Sequence, residues 1–110
     1  MAVLGLHHVL LTVRNLQEST TFYSDILGLR KVKEIPDDGV AGAKVLYALP
    51  DGSLVGLVQH QATTEQPFDE VNAGLDHLAL SVPVSELPDW EHRLDQAGVE
   101  YSPPAESALG

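Results

Sequence analysis

The sequence predicts an α+β fold made of two copies of one strand-and-helix module, and three observations carry that prediction. The first is an internal repeat. Gly5-Leu6-His7-His8-Val9-Leu10-Leu11-Thr12-Val13 returns as Gly74-Leu75-Asp76-His77-Leu78-Ala79-Leu80-Ser81-Val82, with the glycine, the first leucine, His8/His77, Leu11/Leu80 and the closing valine unchanged. Repetition of a whole segment fixes an architecture before any single element does. The second observation is that both copies alternate with period two, the mark of a strand. The third is that each copy is followed by helix signals that end in a glycine, at Gly28 and again at Gly98.

The elements follow in order. In the first copy His8, Leu10 and Thr12 face one way, and His7, Val9, Leu11 and Val13 the other. The second set is the more continuously apolar, so a helix is expected to cover it. The first set mixes an imidazole, a leucine and a hydroxyl, as the wall of a semi-polar cavity would. Asn15 with Glu18 three residues later reads as a helix start. Phe22 with Ile26 and Tyr23 with Leu27 make its inward stripe, and Gly28 its left-handed end. A second strand is expected near 29–35. Pro36-Asp37-Asp38-Gly39 reads as a turn, and strands at 44–49 and 53–59 are joined by the hairpin signal Pro50-Asp51-Gly52.

The first module, 1–61, is therefore β-α-β-β-β. A polar stretch beginning at Gln61 makes 62–73 a linker. The second module, 74–110, reads strand, helix, strand. Ser85 is the expected helix cap, Leu87, Trp90, Leu94 and Ala97 form the stripe, and Pro88 falls harmlessly in the first turn. Val99 to Ser102 is the next strand.

Composition narrows the function. A chain of 110 residues suffices for one small domain or two half-size modules sharing a core. Without cysteine there are no disulfides and no thiolate metal sites, which suits a reducing compartment. No run approaches the roughly 20 apolar residues that span a bilayer. Met1-Ala2-Val3-Leu4 is too short and lacks the basic flank of a signal peptide, so a cytoplasmic location is expected. Sixteen acidic against six basic residues give a net charge of −10, which repels phosphate. Neither nucleic acid nor a membrane is expected as a partner, and the acidity reads as solubility.

Three stretches, Leu6 to Val13, Phe22-Tyr23-Ser24-Asp25-Ile26-Leu27-Gly28-Leu29 and Gly74 to Val82, resemble the paired β-α-β-β-β modules of the vicinal oxygen chelate superfamily. That superfamily includes glyoxalase I, extradiol ring-cleavage dioxygenases, and fosfomycin and bleomycin resistance proteins. The resemblance implies paired modules that form a curved mixed sheet around a cavity. It also implies a divalent metal, held by a histidine from the first strand of each module and an acidic residue from the last strand of each. By position His8 and His77 match the histidines. Imidazole suits zinc, iron, nickel or manganese, the last preferring oxygen donors.

Two departures stand out. Where the first module's last strand usually reads Glu-Leu, this chain has Gly56-Leu57. His60 shares the parity of residue 56 and is a candidate substitute ligand, or simply a histidine at a strand exit. The second module reads as truncated against the superfamily's pattern, in which two further strands and a final acidic ligand follow: either this is a partial version of a longer chain, or the protein does without that ligand. A second copy of the chain could complete it, so a homodimer is expected. No residue is singled out as the catalytic base.

The resemblance thus implies a metal-dependent enzyme of the glyoxalase or extradiol-dioxygenase type, acting on a small oxygenated metabolite. The alternative is a metal-free small-molecule binding and resistance protein of the bleomycin-resistance type. In either case the partner is a small-molecule substrate or ligand.

Overall fold

The computed structural model describes residues 1–63 and 66–107. Thr64-Glu65 of the expected linker and the last three residues of the second module lie outside the described residues. The chain divides into two compact units, Met1–Gln66 and Pro67–Gly110.

The first unit is a four-stranded mixed sheet with one helix. Its strands are β1 (His8–Thr12), β2 (Arg30–Ile35), β3 (Ala43–Ala48) and β4 (Leu54–Gln59), in spatial order β1-β4-β3-β2. β2–β3 and β3–β4 are antiparallel, and β1 joins β4 in parallel with His8 opposite Leu54 and Thr12 opposite Val58. The ladder is held beyond both ends of β1, where Leu54 N donates to the His7 carbonyl at 3.0 Å and Val13 N to the Val58 carbonyl at 2.9 Å. β2 carries an irregularity between Lys31 and Lys33 that leaves Val32 without a partner in the register. The α+β class read from the sequence is the observed one.

Alternation decides which side chains meet the helix. Val45, Tyr47 and Leu57 form a buried cluster against which Leu11, Val13, Leu16, Tyr23 and Leu29 pack. Tyr47 is fully buried and its hydroxyl hydrogen-bonds Ser24 Oγ at 2.8 Å, so its one polar atom is satisfied. The Tyr23 ring stacks on it with centroids 6.1 Å apart. Burial, and then the neighbouring Tyr47, hold the Tyr23 phenol above its ordinary pKa.

Helix α1 (Leu16–Thr21) begins as the sequence reads, with Asn15 Oδ1 accepting from Glu18 N at 3.0 Å. A second cap comes from the sheet: Gln59 Oε1 accepts from Leu16 N at 2.8 Å. Beyond Thr21 the helix widens into a π-helical segment, Phe22–Ile26, which sequence periodicity does not signal. It closes at Gly28, whose φ of 72° is costly for any residue with a Cβ.

In the second unit a 3₁₀ turn (Val84–Glu86) leads into α2 (Leu87–Gln96). Two sequence expectations are corrected here. Ser85 does not cap α2: the chain enters through the 3₁₀ turn, Glu86 takes the cap position without a side-chain hydrogen bond, and Pro88 lies in the first turn. Nor do 74–82 or 99–102 form strands among the described residues. Strand-like alternation becomes a strand only where a neighbour completes its hydrogen bonds. The C-terminal signal holds: Gly98 N donates to the Asp95 carbonyl and Val99 N to the Leu94 carbonyl, a Schellman motif.

On the sheet face away from α1, alternation and register group His8, Leu10 and Thr12 with Leu54, Gly56 and Val58 and with Lys44, Leu46 and Ala48. Gly56 sits where two leucine tips leave little space for a side chain. A Cβ there would overlap a methyl of Leu10 and come within 2.7 Å of Leu46 Cδ2. The acid that the superfamily's pattern puts at this point is replaced by two leucine side chains closing over a glycine.

Two stability outcomes follow. Asn15→Ala lowers the urea-unfolding free energy of the chain by about 1 kcal/mol, the usual value of a lost helix cap. Gly56→Ala lowers it by about 1 kcal/mol, the low end for overpacking because leucine tips can move. Leu10→Ala in the same chain restores most of that loss. A double-mutant cycle with no coupling between positions 10 and 56 contradicts the packing described.

Candidate functional site

His8 opens β1 on the face away from α1, the face its alternation predicts, and it is exposed. It is not alone there. His7 Nδ1 lies 2.8 Å from His8 Nδ1, and the two rings meet edge to face at a centroid distance of 5.0 Å. One nitrogen donates and the other accepts.

His77, in the second unit, is arranged alike. Its Nδ1 lies 2.6 Å from Asp76 Oδ1, a charge-assisted distance. Both side chains are 69% exposed, so solvent screens the pair and its worth to folding is small. In both places the residue just before the histidine reaches its Nδ1. Neither Nε2 makes a hydrogen bond among the described residues.

The sequence reading missed this. Strict alternation sends His7 and Asp76 to the helix-facing side. His7 precedes the first paired residue of β1, and Asp76 lies in no strand, so the alternation of a ladder does not govern either. The usable signal was the repeat itself, which puts a polar, hydrogen-bonding residue before the histidine in both copies.

His60 is placed elsewhere. β1 and β4 run parallel with His8 beside Leu54, so His60, six residues further on, is displaced by about 20 Å at the usual strand rise. It sits in a turn, its N–H bonded to Thr63 Oγ1 at 2.9 Å. His8 and His60 of one unit therefore cannot grip one ion. Gln59 faces α1, as its parity predicts, and is spent on capping that helix.

A cleft of about 740 Å³ in the first unit is also away from His8. It opens between the start of α1 and the ends of β2, β3 and β4, and its lining includes Asn15, Glu34, Lys44 and Gln59. Three of those four have structural work. Asn15 and Gln59 cap α1, and Lys44 Nζ donates to the Ala41 carbonyl at 2.8 Å.

As metal donors, the two histidines offer imidazole nitrogens suited to zinc, iron, nickel or manganese. Gly56 adds no donor, and no group of three His, Asp or Glu among the described residues is placed to hold a metal ion. Within its own unit each histidine is a single imidazole donor of the kind a divalent metal accepts. No helix among the described residues is long and apolar enough to cross a membrane.

Comparison with known proteins gives the family. The chain is 30% identical over 99 residues to MhqE of Bacillus subtilis, assigned as a ring-cleaving dioxygenase; the match takes 86% of this chain and 32% of that protein. It is 23% identical over 99 residues to the fosfomycin resistance protein FosX of Listeria innocua, covering 90% of this chain and 69% of the relative. The chain thus spans about a third of the length of MhqE. Among solved structures, a glyoxylase/bleomycin resistance protein/dioxygenase domain from Frankia sp. EAN1pec superposes with a TM-score of 0.84 at 33% identity, over 97% of this chain and 84% of that one. An E126Q variant of FosX from Listeria monocytogenes, complexed with Mn(II) and 1S,2S-dihydroxypropylphosphonic acid, superposes with a TM-score of 0.71 at 18% identity, over 97% and 79%, a likeness of fold. The profile of the Glyoxalase/Bleomycin resistance protein/Dioxygenase superfamily matches residues 5–108, nearly the whole chain. This chain belongs to that superfamily.

Proposed function

We propose that the chain forms part of a metal-dependent enzyme acting on a small oxygenated metabolite, with His8 and His77 among the ligands of a divalent ion. One observation carries the reading. The histidines occupy the same place in the repeat, and each has Nδ1 engaged by the residue before it while Nε2 has no partner among the described residues. A relative holds Mn(II), which favours a divalent ion in general. When bound, such an ion polarises substrate oxygens as a Lewis acid or takes part in oxygen chemistry. The chain's own contribution beside it is the face that carries His8. Leu10, Leu46 and Gly56 give it an apolar floor, and Thr12 adds a hydroxyl that can donate to or accept from a substrate oxygen. A homodimer belongs to the same reading, because residues 75–82 repeat the β1 sequence without forming a strand among the described residues.

A second reading has its own support. Leucines close over Gly56 where the superfamily's pattern has an acid, which favours a metal-free protein that binds a small molecule. The net charge of −10 then suits a cationic ligand.

Metal analysis of gently purified protein separates the two. The enzyme reading expects a divalent ion in the wild type and its loss in both His8→Ala and His77→Ala. Each variant weakens binding by more than about tenfold, the scale on which even outer-shell partners act. Equally negligible metal in all three proteins, before and after incubation with Zn(II) or Mn(II), overturns it in favour of the binder. Light scattering at micromolar concentration checks the dimer, and a monomeric mass removes it.

A further inference from the structure

The reading above needs Nε2 of His77 to carry a lone pair, and a neutral imidazole offers that nitrogen in only one of its two tautomers. We propose that Asp76 is the residue that selects it. The carboxylate of Asp76 can only accept, and it stands 2.6 Å from His77 Nδ1, so the hydrogen between them belongs to Nδ1. With Nδ1 protonated, Nε2 is left bare and turned away from the bond. Asp76 touches no substrate in this account; it acts through His77 as a positioning residue, and in that respect it rests on the metal reading.

The first unit sharpens the point, because its corresponding pair lacks a carboxylate. His7 Nδ1 and His8 Nδ1 share one hydrogen at 2.8 Å, and either ring can be the donor. Both tautomers of His8 satisfy that contact. The carboxylate of Asp76 admits one. The two histidines of the repeat therefore differ: His77 is held ready, while His8 exchanges between a ligand-competent and an incompetent form. Sequence adjacency keeps Asp76 near the ring, which offsets the exposure of the pair to water. The bias is nevertheless that of an exposed contact, so its effect on metal affinity belongs at the low end of the tenfold to hundredfold range of outer-shell partners.

The test uses the full chain, uniformly labelled with ¹⁵N and free of metal, at about pH 8, where an ordinary imidazole is neutral. Long-range ¹H–¹⁵N spectra report which ring nitrogen of each histidine bears the hydrogen. The wild type is expected to show His77 protonated at Nδ1 and His8 as a mixture. In Asp76→Ala the Nδ1-protonated form of His77 gives way and His8 is unchanged. Asp76→Glu, which keeps a carboxylate on a longer arm, recovers part of the bias. An Nε2-protonated His77 in the wild type, or the same tautomer ratio in Asp76→Ala, overturns the proposal. Zn(II) titration of the same proteins then reads the consequence: affinity falls about tenfold in Asp76→Ala. Equal Zn(II) affinity in wild type and Asp76→Ala also overturns it. If the tautomer shifts as described but none of the proteins binds Zn(II), Asp76 still selects the tautomer and the metal reading alone fails.

Discussion

The first unit depends on the parallel pairing of β1 with β4. Consecutive strands form hairpins readily, but β1 is the first strand in the chain and lies beside the last of its unit. The pairing turns Leu11 and Val13 toward the core under α1 and leaves His8, Leu10 and Thr12 on the other face. A slip of one residue would exchange these sets and bury the imidazole. The backbone bonds flanking β1, at His7 and Val13, resist that slip. The position of His8 is in this sense a product of ladder register, fixed by groups that have no chemistry of their own.

Much of this was legible in the residues. The face of His8, the Asn15 cap, the glycine at the end of each helix, and the hairpin at Pro50-Asp51-Gly52 all rest on local rules, and each is where those rules put it. What could not be read depends on distant partners. The π-helical widening at Phe22–Ile26 occurs where Tyr23 stacks on Tyr47, and periodicity within the helix carries no trace of it. The strand character of 74–82 was overestimated for the same reason. Its alternation copies that of β1, but β1 is a strand by virtue of β4.

The candidate site was half legible. Repetition singled out His8 and His77, and parity gave His8 its face. Parity misled at His7 and Asp76, which lie outside paired strands. It misled again at His60, where sharing a face with Gly56 said nothing about distance along the strand from His8. Alternation tells which side a residue takes; it is silent on how far away its companions are.

The widened segment of the first helix has a consequence for anyone recombining such domains. Each residue of an α-helix advances the chain by about 100° around the axis. A π turn holds an additional residue, so everything after it is rotated relative to a regular helix of equal length. Grafting a helix of ordinary pitch between Asn15 and Gly28 would carry Tyr23 off the ring it stacks on or displace the glycine from its bend. Residue count across this span is therefore constrained along with residue type.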